Sequence, residues 1–506
     1  MKRVVIIGGG ITGLAAAHRI LELASASGKQ VDLKILEASG RTGGIVKTRE
    51  RDGFLVESGP DSFISEKPAA LELVKRLGLE SHLIETNQHH RRSFIVRQGR
   101  LLPVPEGFQL LAPSRFWPFV KSGIFSWTGK ARMALDLLLP RRTLNGSVDE
   151  DHDESLAQFV RRRLGSEALE RMAQPMIGGI YTADPEQLSL RATMPRFLEM
   201  EREYRSLIRA LRRGAVNDGS GTSGARYRLF LSFDRGMQVF TDRLEERISN
   251  FKFQISNPQS QVSAGNWLGQ TVIQLNTTVD SITLESAEPG EGSSKWKLET
   301  SQNETFIADA VCLALPAYVS SRLLTRLDAQ LAAELAGISY ASSATINLAY
   351  KREDIPHPLD GFGFVVPFIE KRSLIACTFS SVKFAGRAPQ GQALLRAFVG
   401  GALQPELFEL SEAELLARVR KDLCELLGIE HAPLFAEVSR WERSMPQYHV
   451  GHLEKVKRIQ MRLAALPNLV LAGNAYSGLG VPDCIRSGEA AADLIAAAAA
   501  PTRDNH

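Results

Sequence analysis

An α/β protein built on a parallel sheet buried on both faces is predicted by three features of this 506-residue sequence. A short all-apolar run, Val4 to Ile7, leads at once into Gly8, Gly9, Gly10, Ile11, Thr12 and Gly13. A second apolar run, Val31 to Leu36, ends on an acid, Glu37. At the far end, Asn468 to Gly473 reads as another such strand, ahead of a glycine-rich loop and a helix. Uninterrupted apolar strands fill sheets covered on both sides, and helices between them make the strands parallel.

The opening unit carries chemistry as well as fold. Gly8 permits a tight turn, Gly10 lets the backbone approach a pyrophosphate, and Gly13 lets the helix over Leu14 to Leu23 pack on its strand. Phosphates then sit at that helix's N-terminus, where free N–H groups and the dipole favour negative charge. Glu37 follows the third glycine by about two dozen residues, where a carboxylate accepts from both ribose hydroxyls and repels a 2′-phosphate. The alternative, a βαβ unit with no ligand, needs strand, glycines, helix and acid to share this register without cause.

Ala38, Ser39, Gly40, Arg41, Thr42, Gly43 and Gly44 come next. This run resembles the second fingerprint of the superfamily of FAD-dependent amine oxidases, phytoene desaturases and protoporphyrinogen oxidases. The resemblance implies FAD rather than a nicotinamide cofactor, with Arg41 near its diphosphate and the glycines admitting it.

With 44% apolar residues the chain can bury a large core in two or three lobes. A net charge of +4 is small for this length and gives no reason to expect a nucleic-acid partner. Cys312, Cys377, Cys424 and Cys484 form no CxxC and no metal-ligand spacing, so reduced thiols and no metal site are expected. No run of about 18 uninterrupted apolar residues appears and the first strand begins at once, so a cytoplasmic protein that does not span a membrane is expected.

Along the chain, Ile45 to Val56 reads as a hairpin turning at Arg51, Asp52 and Gly53. The run Glu57, Ser58, Gly59, Pro60, Asp61, Ser62 and Phe63 breaks the periodicity as a loop. It resembles the GPDSF segment that protoporphyrinogen oxidases lay against the flavin; a plain turn is the alternative. Lys67 to Leu77 and Ser155 to Met176 have helical spacing, with Ser155 as an N-cap. Between them, Phe108, Leu110, Leu111, Phe116, Trp117, Phe119, Ile124, Phe125 and Trp127 crowd together with Lys121, Lys130, Arg132, Arg141 and Arg142. Such a mixture suits either a surface entering a lipid headgroup layer or the core of a helical subdomain.

Further on, Gly214 to Gly224, Asn257 to Gly269 and Ser286 to Ser294 read as surface loops or hairpin insertions. A helix is expected up to Ile248, a strand over Leu275 to Val279, and a buried strand over Ala308 to Pro316. Alternating residues from Ser343 to Gly401 suggest a sheet that floors a substrate cavity. Leu410 to Leu427 reads as a helix and Ala436 to Trp441 as a strand. The loop Gly478 to Asp483, with Gly480, Val481 and Pro482, presents a second helix N-terminus, to the pyrimidine side of a flavin ring.

Five separated motifs resemble the oxygen-dependent protoporphyrinogen/coproporphyrinogen oxidases: the two glycine fingerprints, GPDSF, the run Gln174 to Ala192 with Gly178, Gly179 and Tyr181, and the pair formed by Trp441 to His452 and Gly473 with Asn474. Amine oxidases lack the Gly178 motif and usually carry an acid where Asn474 stands. The resemblance implies a two-domain FAD-linked oxidoreductase fold, with a Rossmann-like FAD domain, a sheet-floored substrate domain and a helical membrane-facing insertion. The expected division is 1–85, 225–310 and 441–498 for the FAD domain, 86–213 for the insertion, 311–440 for the substrate sheet, and a disordered tail over 499–506. It further implies Val279 at the adenine, Trp441 near the flavin, and Gly178, Gly179 and Tyr181 bordering the substrate. The implied reaction removes six electrons from a porphyrinogen in three two-electron steps, each returned to O₂ as H₂O₂, within haem biosynthesis. Handover to a ferrochelatase and contact with the inner face of the cell membrane are implied partners.

No side chain is expected to act as acid, base or nucleophile, because a flavin carries the redox chemistry and the protein supplies position and exclusion of water. The family commonly places an Arg where this chain has Ser93, so Arg91 and Arg92 just upstream are the expected anchors for the propionates. Two other classes remain open: an amine oxidase or carotenoid desaturase on the same scaffold, and a non-catalytic binding protein of lipid-carrier type.

Overall fold

The computed structural model describes residues 2–109, 111–142, 153–218, 230–251, 271–286 and 294–498. Leu110, all of Asn257 to Gly269, residues 287–293 of Ser286 to Ser294, residues 219–224 of Gly214 to Gly224 and the 499–506 tail therefore lie outside the described residues.

The apolar strand Lys2–Ile7 sits at the centre of a five-stranded parallel sheet, in the order Thr271–Gln274, Val31–Leu36, Lys2–Ile7, Ala310–Leu313, Leu469–Leu471. Ile7 pairs with Leu36 on one side and Leu313 on the other. Both faces are covered, as uninterrupted apolar strands require. Helices Ile11–Ala26, Pro68–Leu77, Gln238–Ser249 and Val481–Ala497 bury one face around Leu14, Leu33 and Ile485. The other face packs around Trp296, Leu298 and Leu331 on a three-stranded antiparallel sheet and the helices Ala317–Leu324 and Ala329–Ala336.

A seven-stranded sheet forms the second layer system, in the order Phe435–Pro446, Tyr340–Lys351, Gln392–Gly400, Leu374–Phe379, Gly363–Val365, Phe94–Arg97, Arg100–Pro103. Alternation divides its side chains. Ile346, Leu348, Leu395 and Ala397 pack with Leu415, Val419 and Leu423 of the helix Glu412–Leu427. Ser411 and Glu414 close that helix's first turn as a capping box, and Gly428, at φ 75°, ends it. The opposite face looks toward the nucleotide loops and a helical layer whose core gathers Phe108, Phe119, Phe125, Phe159 and Phe197.

Several expectations need correction. The strand beside Val31–Leu36 is Thr271–Gln274; Leu275 to Thr278 is a turn, with Asn276 at φ 54°, and Val279 begins a separate strand, Val279–Glu285. The stretch Phe94 to Arg142 is not all helical insertion. Its first part, the hairpin Phe94–Arg97 and Arg100–Pro103, extends the seven-stranded sheet through parallel pairing of Phe94 with Phe364. Ser155 to Met176 is broken at Gly165, at φ 95°, into Leu156–Arg163, Ser166–Ala168, a π-helical turn over Leu169–Ala173 and the start of Gln174–Tyr181. Ser155 does cap the first of these, reciprocally with Gln158. Gly214 lies inside the helix Leu207–Asp218 rather than in a loop. The divisions expected at 310/311 and 440/441 fall inside the strands Ala310–Leu313 and Phe435–Pro446.

Candidate active site

Two glycine turns face each other at the C-terminal ends of the parallel strands. Gly8, at φ 107°, makes the tight turn, and a Cβ there would collide with the Ala314 carbonyl. A Cβ on Gly13 would collide with the Gly8 carbonyl, so these two glycines are demanded by the fold itself. Gly10 differs. The nearest atom to a Cβ built on it is Gly44 Cα at 4.0 Å, so nothing in the protein requires glycine there. Gly44 packs on Gly10, and the room a diphosphate would need lies beside Gly10 at the N-terminus of Ile11–Ala26. Ile11 and Thr12 begin that helix and are buried against the sheet.

Glu37 follows the strand Val31–Leu36 beside this turn. Its Oε2 accepts from the Gly9 N–H at 2.6 Å, and its Oε1 accepts from the Ser39 N–H at 2.8 Å and the Ser39 hydroxyl at 2.7 Å. Ala38 lies exposed beside it. Arg41 donates to the carbonyls of Thr42, Gly44 and Val46, which stiffens the second turn, and Gly43 at φ 91° brings that turn's N–H onto the Gly9 carbonyl at 2.8 Å. Val279 is 8% exposed, its side chain in the core and its backbone one turn beyond the Thr277 N–H that donates to Glu37 O at 2.9 Å.

The loop over Gly59, Pro60, Asp61 and Ser62 is held from the seven-stranded sheet. Asn347 and Arg396 are directly paired across neighbouring strands, and both point at this loop. Asn347 Nδ2 donates to Glu57 O at 3.0 Å, Thr345 Oγ1 donates to Ser58 O at 3.0 Å, and the Arg396 guanidinium donates to Gly59 O. Lys383 Nζ reaches both Asp61 carboxylate oxygens, at 2.9 and 3.1 Å, and Ser62 Oγ at 3.1 Å. Burial alone would push the Asp61 carboxyl up, but Lys383 and Arg396 together hold it well below the usual carboxylate range. Trp441 Nε1 approaches Thr345 Oγ1 at 3.4 Å, which puts the indole on the same face. Thr345, Asn347, Lys383 and Arg396 escaped the sequence analysis. For Thr345, Asn347 and Arg396 the signal is there, as polar residues at alternate positions of otherwise apolar strands, whereas Lys383 ends the short helix Ser380–Lys383 and carries no such signal.

The C-terminal part supplies the far side. Tyr448 stacks on His452 at 3.9 Å, and its hydroxyl donates to Asn474 O at 2.6 Å while accepting from the Gly478 N–H at 2.8 Å. Gly473 N donates to Ser487 Oγ at 3.0 Å. Gly480 caps the helix Val481–Ala497, with Val481 and Pro482 in its first turn. Asp483, 2% exposed, accepts from the Gly480 N–H at 3.2 Å and pairs with Lys67.

The helix Gln174–Tyr181 packs directly on the sheet face. A Cβ on Gly178 would approach Ile375 at 4.0 Å, and one on Gly179 would approach Val365 at 3.8 Å, so the two glycines bring this helix close over the floor. Ile45 and Ile180 stay 47% and 51% exposed, leaving apolar surface open. Tyr181 directs its hydroxyl to Thr193 O at 3.3 Å, and burial pushes its pKa up to about 12. Of the expected anchors, Arg92 is committed elsewhere. It pairs with Asp360 and lies over the Phe94 ring at 5.4 Å, and Phe94 belongs to the face packed on Glu412–Leu427. Arg91 is half-buried.

Residues 11–496 match the family described as flavin containing amine oxidoreductase. The chain belongs to this family. Within this flavin-containing family it is 34% identical over 492 residues to the coproporphyrinogen III oxidase of Bacillus subtilis (strain 168), covering 97% of each chain. The mitochondrial protoporphyrinogen oxidase of Nicotiana tabacum is 27% identical, with 98% of this chain and 94% of that one covered. A solved structure from Exiguobacterium sp. 255-15 superposes with a TM-score of 0.82 at 31% identity, covering 98% of this chain and 99% of that one. The flavin oxidoreductase's cofactor is FAD: a dinucleotide needs the diphosphate space at Gly10 and the acid at Glu37, and the residues present fit both.

Proposed function

We propose that this chain oxidises coproporphyrinogen III to coproporphyrin III in haem biosynthesis, with O₂ as acceptor and H₂O₂ as product. The observation that carries the reading is the match along nearly the whole chain to a coproporphyrinogen III oxidase, with 97% of each chain covered. The choice of coproporphyrinogen over protoporphyrinogen IX is supported by the 34% identity to the bacterial relative, against 27% to the tobacco one. FAD held there would take up two electrons in each of three steps and return them to O₂; with the two protons lost from the substrate in each step, removal of six hydrogens consumes three O₂ and yields three H₂O₂.

The chain's own residues bind, orient and exclude water. Gly10, Gly44, Glu37 and Arg41 define the nucleotide's path, and Lys383, Asn347 and Arg396 fix the Gly59 to Ser62 loop against it. Gly178, Gly179 and Tyr181 border the substrate, with Arg91 toward its carboxylates. Alignment over an apolar floor does the work that an acid or base does elsewhere. Phe116, Trp117, Trp127 and Leu138, at 62 to 73% exposure, lie in the same segment as the exposed Lys121, while Lys130 is buried under Trp127 and donates to Val120 O. These residues support contact with an anionic membrane surface.

Purified holoenzyme is given coproporphyrinogen III and protoporphyrinogen IX in air, with porphyrin fluorescence and H₂O₂ followed together. Three H₂O₂ per porphyrin, and the higher kcat/KM for coproporphyrinogen, are expected. Absence of enzyme-dependent porphyrin from both substrates overturns the reading.

A further inference from the structure

Arg163, fully buried, pairs with Asp136, and Arg372, with 13% of its side chain exposed, pairs with Asp422 and Glu425. Water is lost at both sites and a carboxylate compensates. Arg396 breaks the pattern. It is 4% exposed within the strand Gln392–Gly400, and among the described residues no carboxylate lies within 4.0 Å of its guanidinium. Its bonds go to the carbonyls of Ser58, at 3.4 Å, and Gly59, while its Nε has no partner. The two carboxylates whose field reaches it are engaged by others. Asp61 pairs with Lys383, and Glu57 accepts from the Met237 N–H and the Thr48 hydroxyl with Arg387 at 4.0 Å. A further acid that acts on Arg387, Asp234, is 45% exposed and faces His82. Under this one loop, then, Lys383, Arg387 and Arg396 meet only Asp61 and Glu57 as shielded countercharges.

Sheet order places this surplus charge relative to the cofactor. A dinucleotide with one ribose at Glu37 and its diphosphate at the start of Ile11–Ala26 has its other half on the opposite side of Lys2–Ile7, over the ends of Ala310–Leu313 and Leu469–Leu471. The run that begins at Gly59 reaches across to that side. A Cβ on Gly59 would overlap the Ile45 carbonyl, next to Gly44, and Lys67 further along pairs with Asp483 in the first turn of Val481–Ala497, the helix after Leu469–Leu471. Arg396 therefore stands one loop's thickness behind the space for the flavin half. The Ser58 carbonyl also accepts from the Thr345 hydroxyl at 3.0 Å, and a planar trans peptide turns the Gly59 N–H the opposite way, off the sheet. The loop thus presents the positive end of a polarised peptide on its face away from Arg396.

We propose that the uncompensated charge of Arg396, carried through the Ser58–Gly59 peptide, stabilises the negative charge that the flavin ring gains on reduction and so raises the cofactor's potential. This needs bound FAD and does not depend on which porphyrinogen is the donor. In each step the donor gives up two electrons and two protons. With both electrons and one proton on the ring and the second proton passed to water, the ring holds one negative charge. O₂ then takes the two electrons, the ring's proton and one proton from water as H₂O₂. A buried positive charge favours that anion over the neutral ring carrying both protons, because little water screens it there.

The test measures the midpoint potential of the FAD holoenzyme against a reference dye, with no porphyrinogen present, in wild type, Arg396→Gln, Arg396→Lys and Asp61→Asn. Arg396→Gln should disfavour the reduced form about tenfold, a fall of about 30 mV for a two-electron couple. Arg396→Lys keeps the charge and should show less than half of that fall. Asp61→Asn removes a neighbouring negative charge and should raise the potential. Loosening of the loop alone would move all three in one direction. An unchanged potential in Arg396→Gln, an equal fall in Arg396→Lys, or no rise in Asp61→Asn overturns the assignment. Should a variant fail to retain FAD, wild type decides. Its potential should fall by about 30 mV per pH unit, the mark of one proton per two electrons, down to a lower pH than that of free FAD does. A steepening to about 60 mV per unit at the pH where free FAD shows it, or above, overturns the assignment. Wild type that holds FAD yet oxidises neither porphyrinogen removes the functional reading and leaves this one standing.

Discussion

Gly10 and Asp61 illustrate two kinds of residue at this site. Gly10 has no packing duty within the chain, since a Cβ there finds only Gly44 Cα at 4.0 Å. Gly10→Val should therefore fold with near-wild-type Tm as apoprotein yet lose FAD, as read by the flavin absorbance of the purified variant; full flavin content would contradict the cradle. Asp61 has a duty to the fold. Its pair with Lys383 is shielded on both sides, with side chains 18% and 13% exposed. Asp61→Asn leaves the lysine buried without a countercharge, at a cost of about 3 kcal/mol. Because the carboxyl's pKa is held low in the folded chain, its contribution is fully present above the usual aspartate value, near about 3.9, and fades as pH falls toward the depressed folded value. The Tm gap between wild type and Asp61→Asn should be wide at pH 7 and narrow as the pH drops below 4. A gap independent of pH would show that the pair is not what holds the loop.

Elements differ in how openly the sequence declares them. The first βαβ unit is legible because strand, glycines, helix and acid all serve one ligand and sit close together in the chain. The strand Thr271–Gln274 was displaced by a few residues because four residues carry little periodicity and Leu275 extends the apolar pattern past the turn at Asn276. The hairpin Phe94–Arg97 and Arg100–Pro103 was assigned to the insertion because its sheet partner, Gly363–Val365, lies far along the chain, and nothing local announces such a pairing. The FAD cradle was legible and the polar floor was not: Thr345, Asn347 and Arg396 act on a loop nearly 300 residues upstream, and only tertiary structure brings them together. Local composition predicts a loop at Gly214, yet it lies in Leu207–Asp218 with nothing within 4 Å of a Cβ. Gly214→Ala should therefore stabilise the chain by about 0.5 to 1 kcal/mol, seen as a small rise in Tm. A fall would mean that the helix does not extend through this position.

On the scale of the whole molecule, aromatic residues of one segment divide between two duties. Phe108, Phe119 and Phe125 are buried in the helical layer, whereas Phe116, Trp117 and Trp127 face outward beside lysines. No helix among the described residues is long and apolar enough to cross a membrane. A variant carrying Ser at Phe116, Trp117 and Trp127 should keep its Tm within a few degrees and lose co-sedimentation with anionic vesicles, while undiminished binding would remove this face from the account. The sheet floor, the nucleotide cradle and the Gly178 helix are assembled from segments spread over nearly the entire chain, which is why the resemblance to porphyrinogen oxidases extends over its length. Their joint purpose is transfer of hydrogen from a macrocycle to FAD, and anaerobic stopped-flow mixing of oxidised holoenzyme with coproporphyrinogen III observes that transfer directly. Bleaching of the flavin absorbance, saturating with substrate and reversed by admitting O₂, is the predicted result. A flavin that stays oxidised in a preparation with full cofactor, mixed with either coproporphyrinogen III or protoporphyrinogen IX, would contradict the account.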